Sequence, residues 1–264
     1  MKKRTMLSIG LSAAATMTAA PLFLLGKKAG IGPFAYLHDQ DLASLPGNAP
    51  EYSFDQILPV ENSMLKDSRV LVLGSSVAQG TASMGYGISE YLQYRFGCTC
   101  TKDTVRGTTI ADTGPQSILK RLKTHTSDEV YDLVICQLST NDATKRLPVG
   151  RAGKEKDSET IWAGLSDIID YVRQTWGCPL VFFTSCRFVN DRYDAMVAAL
   201  HELTDATTVG VLDLWNNRNF NTISKTERKL YMADSIHPTM AGYRDWWGPE
   251  LERQLRNYLR RVKK

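Results

Sequence analysis

Along the chain, short apolar runs alternate with longer stretches in which apolar residues recur every three to four positions. The runs are "RVLVLG" (69–74), "TKDTVRG" (101–107), "YDLVICQL" (131–138), "PLVFFTS" (179–185) and "VGVLDLW" (209–215). Most are continuously apolar rather than alternating, as strands covered on both faces are. Between them, "SETIWAGLSDIIDYVRQTWG" places Ile161, Leu165, Ile168, Ile169 and Val172 on one helical face, with Gly177 as its stop. Tyr193, Met196, Val197, Leu200 and Leu203 form a second stripe. Tyr243, Trp247, Leu251, Leu255 and Leu259 form a third, after Pro238. Strands alternating with helices predict a parallel sheet covered on both sides, a three-layer α/β/α domain of class α/β.

The first strand breaks at "GSSVAQG", Gly74 to Gly80. In open α/β sheets the carboxyl ends of the strands are where ligands and reactive groups gather. A phosphate loop requires Gly, four residues, then Gly-Lys-Ser/Thr, and this stretch lacks it. The G-x-S-x-G nucleophile elbow is also incomplete, since Ala78 stands at its last position. A serine here is a nucleophile or part of a tight turn.

The other strand ends bear on that choice. A serine nucleophile needs a base, usually histidine, and the chain has four. His38 lies outside the periodic region, and His125 and His201 fall near helix ends. His237 follows the fifth strand in "ADSIHPTMAGY", three residues after Asp234, whose carboxylate can hold the imidazole in one tautomer. An acidic loop with a capping histidine is the alternative. In "LSTNDAT", the Asn141 amide can face the strand ends and stabilise an oxyanion, or close an Asx turn. In "TVRGTTIADT", Gly107 exposes a backbone N–H that a ligand can approach closely.

Serine, glycine, asparagine and histidine in this order, each at or beyond a strand end, resemble the SGNH hydrolases, also called the GDSL family. The resemblance runs from about Ser68 to the last helix. It implies a flavodoxin-like five-stranded parallel sheet, the strand count read above. It implies Ser76 as nucleophile, His237 as base and Asp234 as its orienter, with Ser76 N–H, Gly107 N–H and the Asn141 amide as oxyanion hole. No cofactor or metal is implied. The chain departs from the family pattern twice: Ser75 replaces the usual aspartate before the nucleophile, and Ser139 replaces the usual glycine two residues before the asparagine. Asp142 reads as structural.

Charge and the N-terminus refine the picture. The net charge is +4, but residues 1–28 hold Lys2, Lys3, Arg4, Lys27 and Lys28 and no acid, leaving 27 basic against 28 acidic side chains. That balance argues against a nucleic-acid partner. The uncharged run from Thr5 to Gly26 between basic ends predicts an exported protein, extracellular, cell-surface or periplasmic. Residues 5–26 serve as a cleaved signal or as a membrane anchor. Residues 29–66, rich in Gly, Pro, Asp and Ser, predict a spacer or covering arm, and 67–264 the hydrolase domain. Five cysteines, an odd number, predict no disulfide framework.

The function expected is an exported serine esterase or acylhydrolase acting through an acyl-enzyme on short-acyl, chiefly acetyl, esters of carbohydrate or lipid. An O-acyltransferase using the same serine and a non-catalytic carbohydrate-binding module are the alternatives. Arg106, Arg187 and Trp215 follow strand ends and are candidates for substrate binding, the arginines for an anionic group and Trp215 for a sugar or acyl wall; plain surface arginines and core packing of Trp215 are the alternatives.

Overall fold

The computed structural model describes residues 41–151, 159–205 and 207–262. Its contacts divide the chain into Met1–Leu45 and Pro46–Lys264, and every element named below belongs to the second unit. The expected signal or anchor lies outside the described residues. No helix among the described residues is long and apolar enough to cross a membrane.

Five strands form one sheet: β1 Arg69–Gly74, β2 Thr99–Thr104, β3 Leu133–Gln137, β4 Leu180–Phe183 and β5 Gly210–Leu212. Their order is β2-β1-β3-β4-β5 and every pairing is parallel. The helices are α1 Ser76–Gln79, α2 Ile88–Phe96, α3 Ile118–Leu122, α4 Thr140–Thr144, α5 Ile161–Thr175, α6 Asp191–Thr204, α7 Arg218–Asn221, α8 Lys225–Tyr231 and α9 Gly248–Val262.

The strand pleat sorts the core into two halves. Val70, Val72, Leu133, Ile135, Val181, Phe183 and Leu212 face one side, with Ile88 and Leu92 of α2 and Leu251, Leu255 and Leu259 of α9. Leu71, Leu73, Val134, Cys136 and Phe182 face the other, against the expected stripes of α5 and α6. The three-layer α/β/α architecture read from the sequence is the one observed. Element ends differ from the quoted runs, two of them as follows. β2 begins at Thr99 and stops at Thr104, because the chain turns at Val105–Gly107 and Gly107 takes a left-handed φ of 76°. The expected last helix is preceded by a π-helical turn, Gly242–Trp247, and α9 itself starts at Gly248.

Part of the stretch read as an arm packs into the first core half: Phe54 and Leu65 are buried there. Within it, the buried Asn48 donates from Nδ2 to Ala82 O (2.8 Å) and accepts from Met240 N (2.8 Å). It thereby ties the loop after α1 to the segment that follows His237.

Candidate active site

β1 delivers Ser76 to the carboxyl edge of the sheet, where α1 begins at that residue. The turn is tight: a Cβ on Gly74 would meet Ala78 Cβ at 2.4 Å and Gln137 Cβ at 2.9 Å. Ser75 at the N-cap makes no side-chain cap bond to α1. The cap comes instead from β3. Gln137 Oε1 accepts from Ser75 N (2.9 Å), Ala78 N (2.9 Å) and Ser75 Oγ (3.2 Å). Three donors on one oxygen fix which way this amide faces and leave its Nε2 buried without a partner. Buried Arg121 holds the same turn from below, donating to Gly74 O at 2.8 Å and pairing with Asp103.

The loop after α8 brings the base. Ser76 Oγ lies 2.8 Å from His237 Nε2, and His237 Nδ1 lies 2.8 Å from Asp234 Oδ2. Asp234 Oδ1 also accepts from Ile236 N (2.7 Å) and His237 N (2.8 Å), so the loop is wound around its own carboxylate. Partial burial pushes the Asp234 carboxyl up. The His237 hydrogen bond and charge and the two N–H groups more than offset this, bringing it down to about 2. An ionised carboxylate only accepts. Nδ1 therefore carries the imidazole proton and Nε2 presents a lone pair to the Ser76 hydroxyl.

The oxyanion candidates come from the loops after β2 and β3. Ser76 N–H opens α1, and neither it nor Gly107 N–H has an acceptor among the described residues. The Asn141 amide is engaged: Nδ2 donates to Thr108 O (3.0 Å) and lies 3.1 Å from Ser139 Oγ. The two departures from the family pattern prove to be neighbours, Ser75 Oγ and Ser139 Oγ standing 3.3 Å apart, both residues fully buried.

Asp142 sits one residue beyond Asn141, fully buried, and accepts from Ile110 N (3.0 Å) and Ala111 N (2.9 Å). Burial pushes its carboxyl up to about 6 against the pull of those N–H groups. It fastens the Gly107 loop to α4. Asp142→Ala strands two buried N–H groups and is expected to destabilise the fold by about 2–5 kcal/mol, read by urea unfolding.

The remaining candidates make none of these contacts. Arg106 is exposed and donates to Gln79 Oε1 (3.2 Å). Trp215 requires a correction. Its ring is 1% exposed, packed on Tyr193 and Phe188 with the Arg187 guanidinium 4.9 Å above it, and its indole N–H is spent on Asp194. A ring so enclosed packs as core. Arg187 and Trp215 border a cavity of about 600 Å³ that neither Ser76, His237 nor Asn141 lines.

A sequence model of the GDSL-like lipase/acylhydrolase family matches residues 72–244, which include Ser76, Gly107, Asn141, Asp234 and His237. The chain belongs to this family. Solved structures share the family fold at low identity. A Lactobacillus plantarum protein is 18% identical over 74% of this chain and 97% of its own, with a TM-score of 0.61. A possible lipase from Chitinophaga pinensis is 14% identical over 74% and 99%, with a TM-score of 0.56. A carbohydrate esterase family 2 enzyme with a carbohydrate-binding domain, from Corynascus thermopiles, is 12% identical over 78% and 69%, with a TM-score of 0.53. No curated protein matches the chain in sequence.

Sequence reasoning missed Gln137, Arg121 and Asn48. Gln137 carried a signal, a polar residue inside the apolar run "LVICQL". The other two carried none, since each acts across a long sequence separation.

Proposed function

We propose that this GDSL-family chain is an exported serine esterase that hydrolyses short-acyl esters through an acyl-enzyme. The hydrogen-bonded line Ser76 Oγ–His237–Asp234, with both contacts at 2.8 Å, carries the reading. Ser76 Oγ attacks the ester carbonyl as its proton passes to His237 Nε2. The oxyanion forms against Ser76 N–H, Gly107 N–H and the Asn141 amide. The alcohol leaves with the proton from Nε2, and a water deprotonated by the same nitrogen releases the acid and restores Ser76.

The short-acyl preference follows the sequence, in which no long apolar lid stands between the strand ends. Carbohydrate or lipid acetates fit an exported esterase, and export itself rests on the basic–uncharged–basic pattern of residues 1–28.

A chain-length series of p-nitrophenyl esters, followed by acetate release from acetylated polysaccharide, tests this reading. The acetate ester is expected to exceed the octanoate by at least about tenfold in kcat/KM, a loss of binding on the order of 1–2 kcal/mol. A preference for octanoate would overturn the short-acyl reading.

A further inference from the structure

Two loops leave the carboxyl edge of the sheet after β4 and after β5, and they are built as one unit. Thr184 Oγ1 accepts from Leu214 N and Trp215 N (2.9 Å each), and Arg187 N donates to Asn221 Oδ1 at 2.8 Å. Arg228 of α8 donates to Arg187 O at 3.1 Å, so the helix that leads into the Asp234–His237 loop is fastened to the same place. Residues of these loops line the cavity of about 600 Å³: Arg187, Trp215, Asn216, Arg218, Asn221 and Thr222. All but Trp215 are polar or charged.

Two arginines set the charge of this cavity. The Arg187 guanidinium stands 4.9 Å from the Trp215 ring and donates from Nε to Trp215 O at 3.2 Å. The packed indole is thus the shelf on which the cation is mounted. Asp194 meets Arg187 only at 3.5 Å, and both side chains are half-exposed, so the pair is screened and weak. Asp213, the other acid close by, is taken up by His201 and by Asn216 Nδ2, each at 2.8 Å. Arg218 is exposed and pairs with no carboxylate among the described residues.

Sheet order relates this cavity to Ser76. β4 and β5 stand two and three strands from β1, roughly 10 and 14 Å along the edge at the usual strand spacing. That is farther than an acetyl group and the sugar bearing it extend, and within the span of a short run of sugars. We propose that the cavity is a subsite for the carboxylate of an acidic sugar, a few residues along the polysaccharide from the ester that Ser76 opens. The proposal rests on the esterase reading above and deepens it by naming the substrate class, an acylated acidic polysaccharide. Two guanidinium forks suit a planar carboxylate, and the uncharged polar lining suits sugar hydroxyls. Contacts so far from the reacting carbonyl are made equally with substrate and transition state, so these arginines act on KM rather than kcat.

The test compares two acetylated polymers, polygalacturonate and neutral glucomannan, as substrates of the full chain and of its Arg187→Gln and Arg218→Gln variants. Near-UV circular dichroism confirms folding, and Arg218→Gln leaves the stacking on Trp215 untouched. The parent is expected to favour the acidic polymer about tenfold or more in kcat/KM. Each variant is expected to lose about three- to tenfold of that preference through KM, and added salt to erode it likewise. Arg173→Gln, which removes an exposed charge on α5, is expected to keep the preference. Binding is read separately by electrophoresis of Ser76→Ala through gels holding unacetylated polygalacturonate, with retardation expected to weaken once either arginine is replaced. Equal kcat/KM on the two polymers, or a preference and a retardation that survive in both folded variants, would overturn the proposal. So would an equal loss in Arg173→Gln. Hydrolysis of p-nitrophenyl acetate by the parent keeps the esterase reading standing in each of those cases. A parent inert toward that ester would remove the reading, and the proposal with it.

Discussion

Alanine at Ser76, alanine at His237 and the double substitution are expected to lower kcat to one common floor, about 10⁴- to 10⁶-fold below the parent. The two residues are one device. The Ser76 hydroxyl is a poor nucleophile until Nε2, 2.8 Å away, accepts its proton, and Nε2 has nothing to accept once the hydroxyl is gone. Losing either therefore costs as much as losing both. Neither side chain is needed to hold the fold, since the turn is capped by Gln137 and the base loop is wound on Asp234. Steady-state rates on an activated acetate ester, with unfolding midpoints compared in parallel, check this. Single effects that multiply in the double variant would mean that serine and histidine act separately.

Asn141→Ala is the second large effect, about 10²–10³-fold in kcat, the usual cost of removing one oxyanion donor. KM is expected to change little, because a neutral ester carbonyl draws far less on the amide than the oxyanion does. The cost in stability is small by comparison. Asn141 is half-buried, its backbone N–H keeps Ser139 Oγ, and Thr108 O keeps the Ser139 hydroxyl. A fall in kcat without a matching fall in unfolding free energy separates this role from a purely structural one, in which the asparagine closes its turn and nothing more.

These residues were legible in the sequence to different degrees, for physical reasons. β1, β3 and β4 announce themselves because both faces are buried and the runs are continuously apolar. β2 does not, since it is the edge strand and mixes threonines, a lysine and an aspartate. Its carboxyl end was placed too late because Val105 continues the pattern while the backbone turns toward Gly107. The residues alone left Ser76, His237, Asp234 and Asn141 open, the family resemblance gave them their roles, and the fold brings Ser76, His237 and Asp234 into direct contact. Asp142, read as structural, is so, though its partners Ile110 and Ala111 were not predictable. Trp215 stood open between substrate and core, because a tryptophan after a strand looks the same in sequence whichever it faces.

The groups that hold the site open no pattern at all. Arg121 reaches Gly74 O and Asn48 reaches Met240 N from distant parts of the chain, and no periodicity records either contact. The Ser75–Ser139 pair was visible only as two departures from the family pattern, and its 3.3 Å contact makes them a single feature.

The central claim, that Ser76 is an activated nucleophile, is met most directly by intact mass of the full chain after treatment with a fluorophosphonate, beside Ser76→Ala. One adduct on the parent, lost in the variant, is the result expected. No adduct on the folded parent, or an adduct that persists without Ser76, would contradict it.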